Sequence, residues 1–136
     1  MNQKLNIGLI GAGSIVESSH LPVLKNMDNV NVVWVYDQNN KRSELLSEMY
    51  NIPIIQSDWK KAIPETDICL LTIPYGTRRL YIEEVAKQKK ALYVEKPFAL
   101  TIAEHQQYLE MFSKEKLAVG FQRRYYKVAG ELEKII

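Results

Sequence analysis

Two glycines near the start of the chain have the spacing of a phosphate-binding turn. Gly11 and Gly13 follow an apolar run, Leu5 to Ile10, and precede a helical pattern. Gly11 permits a tight turn from strand to helix, and Gly13 lets the backbone approach a pyrophosphate that rests on the helix N-terminus. The third position of this fingerprint is Val16 instead of Gly or Ala, and a purely structural turn is the alternative. The residues of the turn predicted to bind a dinucleotide are Gly11, Gly13, Ser14 and Ile15.

An acidic residue stands where a dinucleotide site needs one. Asp37 closes the next apolar run, Val30 to Tyr36, about 20 residues beyond the glycines. A carboxylate at this place accepts hydrogen bonds from the adenosine ribose hydroxyls and repels a 2′-phosphate. The spacing therefore predicts NAD as the cofactor in preference to NADP. The alternative for Asp37 is a helix N-cap ahead of the helical pattern from Lys41 to Tyr50.

The elements that must position these residues alternate along the chain. The predicted strands are 5–10, 30–36, 53–55, 67–73, 91–94 and 116–121. The predicted helices are 14–26, 41–50, 77–89, 101–113 and 126–136. Because the strands are almost continuously apolar, we expect a parallel sheet that is covered on both faces. Six strands separated mostly by helices predict a doubly wound α/β fold, with ligands at the carboxyl ends of the strands.

The composition excludes several other classes of protein. The chain has 136 residues, 46% apolar and 25% charged, with a net charge of +2, which gives no basis for a nucleic-acid partner. Cys69 is the only cysteine, and within its apolar run we expect a buried, inert thiol. No set of His, Cys and carboxylate residues has metal-ligand spacing. With no signal peptide and no apolar stretch near the roughly 20 residues that cross a bilayer, we expect a cytoplasmic protein.

A second group of residues gives the chain a family resemblance. Glu95-Lys96-Pro97 ends the fifth predicted strand, and its place among the other motifs is specific. Four segments carry the pattern: Gly8 to Gly13 with Ser19-His20-Leu21-Pro22, Leu71 to Pro74, Tyr93 to Pro97, and Val119 to Tyr125. With these segments the chain resembles the Gfo/Idh/MocA family of glucose–fructose oxidoreductase and myo-inositol dehydrogenase. The resemblance implies a Rossmann fold that binds NAD or NADP and acts on a sugar or polyol carbon.

The resemblance also implies roles for individual residues. Lys96 is expected beside the nicotinamide and the reacting hydroxyl, where its ammonium stabilises developing alkoxide. Arg124 is expected to bind substrate at the mouth of the cleft, with a packing or interdomain role as the alternative. His20 is expected to be structural, His105 to lie at the surface, and the Lys96–Pro97 peptide bond to be cis. The further residues implied to bind the cofactor are Ile73, Pro74 and Glu95, together with Lys96.

The sequence departs from the family in three respects. Arg78 stands where the family commonly has a histidine, and Lys89 stands where it usually has a glycine. The second α/β domain, which in the family supplies the acid–base group and most substrate contacts, is absent from the sequence. We therefore expect a dinucleotide-binding domain over residues 1–124, with residues 125–136 starting a crossover helix toward a substrate domain. A lone chain of this kind is expected to bind cofactor without turnover, because it has no obvious proton acceptor.

Two functions remain open from the sequence. The first is a fragment or naturally short form of an NAD-dependent oxidoreductase for a sugar or polyol. The second is an NAD-binding module without turnover of its own, which regulates, scaffolds or completes an enzyme by pairing with a partner chain. Lys96 favours the first function, because a module that only binds NAD does not require it.

Overall fold

A parallel sheet of five strands forms the centre of the molecule, a computed structural model that describes residues 4–53, 55 and 57–134. The strands are β1 (Leu5–Ile10), β2 (Val30–Tyr36), β3 (Ile68–Leu71), β4 (Ala91–Val94) and β5 (Leu117–Val119). Their order across the sheet is β2-β1-β3-β4-β5. The chain runs outward from β1 to β2 and then returns to the other side of β1. Strand order therefore reverses between β1 and β3, and ligands bind at such a reversal in doubly wound sheets.

Helices cover both faces of this sheet. They are α1 (Leu21–Leu24), α2 (Asn40–Tyr50), α3 (Trp59–Ala62), α4 (Arg79–Lys87), α5 (Ile102–Glu110) and α6 (Lys127–Glu133). A π-helical segment, Val16–His20, leads into α1. Short 3₁₀ turns span Ile63–Glu65, Tyr75–Thr77, Lys114–Lys116 and Gln122–Tyr125. The doubly wound α/β fold predicted from the sequence is confirmed.

The prediction of six strands is wrong by one strand. Among the described residues, the predicted strand 53–55 contributes only a single parallel bridge between Val35 and Ile55. Pro53 has no N–H group to donate to a strand ladder. Just before it, Asn51 ends α2 in the left-handed conformation, with φ of 51°, so the chain turns sharply where the strand was expected to begin. Residues 54 and 56 lie outside the described part of the chain.

Two apolar clusters fill the space between sheet and helices, one on each face. Leu9 and Ile10 are adjacent in β1 and point to opposite clusters, as successive strand residues do. Both are fully buried, which confirms strands covered on both faces. Cys69 is also fully buried, and burial raises the pKa of its thiol to about 11, as expected for an inert cysteine.

Strands β1 and β2 pack closely at Gly8. The indole of Trp34 is fully buried and donates its Nε1–H to the carbonyl oxygen of Ala62 at 3.1 Å. A Cβ atom at Gly8 would lie 2.2 Å from that indole and 2.8 Å from Cγ2 of Thr66. Glycine is therefore the residue that lets the tryptophan lie across β1.

The helical spacing of residues 14–26 predicts an inner face of Ile15, Leu21 and Leu24. Leu21 is fully buried and Leu24 is half-buried against the core, as predicted, but Ile15 is not. In the structure Ile15 is 40% exposed, whereas Val16 is fully buried beside Leu21. Val16 and Leu21 are five residues apart, and a π-helical turn brings residues at that spacing onto one face. The helix therefore accommodates Val16 at the third fingerprint position within the core.

Candidate functional site

The glycine turn joins β1 to the first helix at the carboxyl edge of the sheet. Gly11 has φ of 109°, a conformation that residues with a side chain rarely adopt. Its N–H donates to the carbonyl oxygen of Tyr36 at 2.7 Å, and a Cβ atom there would lie 2.4 Å from Oγ1 of Thr72. The tight turn predicted at this position therefore requires a glycine.

The backbone beyond Gly11 opens toward solvent. Gly13 begins the helix, since its carbonyl oxygen accepts from the N–H groups of Val16 and Glu17 at 3.1 and 3.2 Å. Gly13, Ser14 and Ile15 are exposed, and a Cβ atom at Gly13 would meet no atom within 4 Å. N–H groups in the first turn of a helix lack a partner within that helix. The three predicted residues thus present free backbone donors beside an open surface, which fits a bound pyrophosphate.

The carboxylate of Asp37 is hydrogen-bonded to the backbone of this turn. Its Oδ2 accepts from the N–H of Ala12, between the two glycines, at 2.7 Å, and its Oδ1 accepts from the N–H of Asn39 at 2.8 Å. Asn39, rather than Asp37, occupies the N-cap position of α2. The two carboxylate oxygens retain lone pairs for further donors, such as ribose hydroxyls. The predicted acid therefore lies at the predicted turn.

A cleft of about 160 Å³ lies next to Asp37, between the ends of β2 and β3. Three predicted residues line it: Asp37, Ile73 and Pro74. Its other lining residues, which the sequence analysis did not identify, are Tyr36, Gln38, Thr77 and Tyr81. Gln38 and Thr77 could have been found by their places beside Asp37 and in the turn that follows Pro74. Position and shape make this cleft the candidate adenosine site.

The segment Glu95-Lys96-Pro97 leaves the end of β4 at the same edge of the sheet. The Lys96–Pro97 peptide bond is cis, as predicted. Lys96 is exposed and borders a groove of about 480 Å³ together with Phe98, His105 and Phe121. His105 was expected at the surface, but it is half-buried and its ring meets Phe98 edge-on at 5.0 Å between centroids.

The carboxylate of Glu95 lies within a half-buried polar network. Its Oε1 lies 2.9 Å from Nε2 of His20 and accepts from the hydroxyl of Tyr93 at 3.4 Å. Its Oε2 accepts from the backbone N–H of Lys96 at 3.3 Å. Burial and the charge of Glu95 raise the pKa of Tyr93, which keeps its hydroxyl a donor. A Cβ atom at Gly120 would lie 2.6 Å from that hydroxyl, so the chain packs tightly against this network just after β5.

Two arginines that were not predicted as site residues bind the backbone of the site loops. Arg42 donates from Nε to the carbonyl oxygen of Ala12 at 3.0 Å and pairs with Glu17 at 2.6 Å. Arg78 is only 4% exposed and donates to the carbonyl oxygens of Ile73, Glu95 and Pro97, at 2.7 Å for Ile73. Arginine offers five N–H donors in a planar fork, which suits such multiple carbonyl contacts.

Arg124 lines a different groove from Lys96. It belongs to the exposed turn Gln122–Tyr125, and its groove, of about 330 Å³, follows the edge strand β5. His105 and Phe121 border both grooves, so the two grooves are neighbours. The structure therefore brings together the glycine turn, Asp37, Ile73 and Pro74, and it leaves Arg124 outside that group.

Within residues 4–53, 55 and 57–134, no group of three or more His, Cys, Asp or Glu residues could hold a metal ion. In the same residues, no helix has the length and apolar character needed to cross a membrane.

A parallel sheet of this order, with a glycine turn at its point of reversal, defines a dinucleotide-binding domain of the Rossmann class. Residues 5–122 match the model of the Gfo/Idh/MocA oxidoreductases, an oxidoreductase family with an NAD-binding Rossmann fold. The chain belongs to this family, as the sequence motifs predicted.

Relatives are similar to this chain over almost its whole length. Inositol 2-dehydrogenase from Rhizobium meliloti (strain 1021) is 31% identical over 123 residues, 89% of this chain and 37% of that protein. The oxidoreductase YrbE from Bacillus subtilis (strain 168) is 26% identical over 129 residues, 92% of this chain and 38% of that protein. The chain thus spans about two fifths of the length of these relatives.

Solved structures have the same fold. The dehydrogenase MviM from Clostridium difficile superposes with a TM-score of 0.86 and 25% identity, over 97% of this chain and 44% of that one. Myo-inositol dehydrogenase from Lactobacillus casei, in complex with NAD(H) and myo-inositol, superposes with a TM-score of 0.88 and 23% identity, over 98% of this chain and 41% of that one.

Proposed function

We propose that this chain binds NAD and forms the cofactor-binding part of an enzyme that transfers hydride between nicotinamide and a sugar or polyol carbon. The observation that carries the proposal is the bond from the Ala12 N–H to Asp37, which joins the pyrophosphate turn to the acid beside the adenosine cleft. The polyol part of the proposal is supported by the inositol dehydrogenases among the relatives.

Each element of the site has a distinct task in this function. The N–H groups of Gly13, Ser14 and Ile15 hold the pyrophosphate, while Asp37 accepts from the ribose hydroxyls. Ile73 and Pro74 form one wall of the adenosine cleft. Bound NAD supplies the hydride acceptor. The ammonium of Lys96 stabilises negative charge on the substrate oxygen, and Glu95 acts through Lys96 by holding its backbone N–H.

The surroundings of Asp37 favour NAD over NADP. A 2′-phosphate would stand against the Asp37 carboxylate, and NADP sites use a nearby arginine to offset such charge. Arg42 is the arginine closest along the chain, but Glu17 and the carbonyl oxygen of Ala12 hold its guanidinium. The cleft therefore presents the Asp37 carboxylate to the ribose. The guanidinium of Arg42 is not free to offset the charge of a 2′-phosphate there.

We expect the chain to bind NADH about tenfold or more tightly than NADPH, because like charges about 4 Å apart repel by about 1 kcal/mol per unit charge even in water. An Asp37→Ser variant removes this repulsion and should narrow the difference between the affinities for NADH and NADPH. Fluorescence titration with each reduced cofactor measures the two affinities. Asp28→Ser is the matched control, since Asp28 is an exposed turn residue outside the cleft. Equal affinity of the wild-type chain for both cofactors would overturn the preference.

The placement of Lys96 beside the nicotinamide gives a separate prediction. NADH should slow the acylation of the Lys96 side-chain amine several-fold, because the nicotinamide end of the cofactor covers it. ADP-ribose, which has the adenosine and pyrophosphate but no nicotinamide, should protect much less. Peptide mass spectrometry after brief labelling measures both effects. Lys60 is the internal control, because it lies over the ring of Trp59, outside the adenosine cleft, and is exposed.

Two results would contradict this role for Lys96. Equal protection by NADH and ADP-ribose would place Lys96 away from the nicotinamide. Equal labelling with and without NADH, at concentrations that saturate binding, would do the same.

A second folded unit completes the enzyme in this proposal. Residues 1–124 form the dinucleotide-binding domain, and residues 125–136 begin the connection to a unit that supplies the proton acceptor and the substrate contacts. Tyr125 is 81% exposed, and Tyr126 and Leu132 are also exposed, so this end presents apolar surface suited to such a unit. Arg124 lies beside it and would contact either the substrate or the second unit.

A further inference from the structure

The loop after β3 lines the adenosine cleft and the loop after β4 carries Lys96, and the sheet does not fix these two loops to each other. Regular pairing of these strands ends at Leu71 and Val94, and the last bond runs from the Glu95 N–H to the carbonyl oxygen of Leu71 at 3.0 Å. Beyond that point one loop runs toward the adenosine cleft and the other toward Lys96. Another interaction must hold the two loops in a fixed position relative to each other.

The side chain of Arg78 makes that connection. Its Nε donates to the carbonyl oxygen of Ile73 in the first loop, at 2.7 Å. Its Nη1 donates to the carbonyl oxygens of Glu95 and Pro97, the two neighbours of Lys96. One guanidinium thus spans from the wall of the adenosine cleft to both sides of Lys96.

The environment of Arg78 shows that this arrangement is specific. The side chain is 4% exposed, and its hydrogen bonds go to backbone carbonyl oxygens. Burial lowers the pKa of the guanidinium, and the charge of Glu95 opposes that shift. A buried cation is costly unless hydrogen bonds compensate it, so moving either loop would leave the charge poorly solvated. The backbone of Arg78 is anchored too, since its carbonyl oxygen accepts from Tyr81 and Ile82 at the start of α4.

We propose that Arg78 is a positioning residue that holds the Lys96 segment at a fixed place relative to the adenosine cleft. The inference rests on the proposed function and deepens it, since Lys96 meets the nicotinamide only if the two loops keep their spacing. A lysine at this position has a single point charge on a flexible stem and cannot serve three carbonyl oxygens of two loops in the same way. Arg78 does not touch the cofactor in this account. It acts through the backbone on either side of Lys96.

The test compares two ligands that share the adenosine half. In the wild-type chain NADH should bind more tightly than ADP-ribose, because only NADH reaches Lys96. In Arg78→Gln the affinity for NADH should fall about tenfold, because the Lys96 segment would no longer be held against the nicotinamide half, while ADP-ribose affinity changes little. Arg78→Lys should show the same split and keeps the buried charge, so it serves if the glutamine variant does not fold. Arg79→Gln is the matched control, because Arg79 is exposed and pairs with Glu83 on its own helix.

The outcomes separate the inference from the proposed function. An equal fall for both ligands, or no fall for either, would show that Arg78 only stabilises the fold, and it would overturn the inference. Wild-type chain that binds neither ligand would overturn the proposed function itself. Thermal melting of each variant, measured beside the titrations, confirms that the compared proteins are folded.

Discussion

A Gly13→Ala variant is expected to bind NADH at least about tenfold more weakly than the wild-type chain, a loss of about 1.4 kcal/mol or more. The added methyl group would project from the backbone that carries the free donors of the turn, and it would keep the pyrophosphate from close approach. The fold should be retained, because that methyl group meets no atom within 4 Å. Replacing a glycine N-cap by alanine costs about 1 kcal/mol or less.

Gly130→Ala is the matched control for this variant. Gly130 also has open space at its Cβ position, but it lies in α6 and does not line the adenosine cleft. Fluorescence titration with NADH and thermal melting of both variants make the comparison. Unchanged NADH affinity of Gly13→Ala would contradict the assignment of the turn to the pyrophosphate.

A Gly8→Ala variant is expected to lose about 3 kcal/mol of its free energy of unfolding, at the upper end of the usual cost of overpacking a core. The new Cβ atom would lie 2.2 Å from the buried indole of Trp34, which Ala62 holds through a hydrogen bond. For a domain of this size, that loss corresponds to a fall in melting temperature of roughly 10 °C. Calorimetry or circular dichroism during heating measures the shift.

A double variant identifies the indole as the cause. Trp34→Phe shortens the ring system that the new methyl group would strike, so Gly8→Ala should cost less in that background than in the wild-type chain. Such non-additive changes in the free energy of unfolding are expected for two residues in direct contact. Strictly additive effects of the two substitutions would show that the destabilisation arises elsewhere.

The geometry of the glycine turn was predictable because its determinants are local. A strand, a glycine turn and a helix occupy consecutive residues, so the pattern around Gly11 and Gly13 is readable without the fold. Asp37 is readable for the same reason, since it ends the next strand. Each of these residues is placed by the strand that precedes it, and parallel strands end at one edge of the sheet.

The remaining parts of the site depend on contacts between distant segments. His20 and Glu95 meet across 75 positions of sequence, and no spacing rule joins them. Arg78 was visible only as a departure from a family pattern, because its partners are carbonyl oxygens, which every residue carries. The missing sixth strand has a local cause, namely the proline at position 53, two residues after the left-handed Asn51.

The π-helical segment Val16–His20 makes this stretch tolerant of a change in length. A π turn contains one residue more than the α turn it replaces, and residues four apart share one face of an α-helix, as residues five apart do here. Loss of one codon at Ser18 or Ser19, both of which are exposed, would return the segment to α geometry and leave Val16 and Leu21 four residues apart on the same buried face. Leu21 and the residues that follow would keep their direction, so a chain one residue shorter would form the same core at this helix.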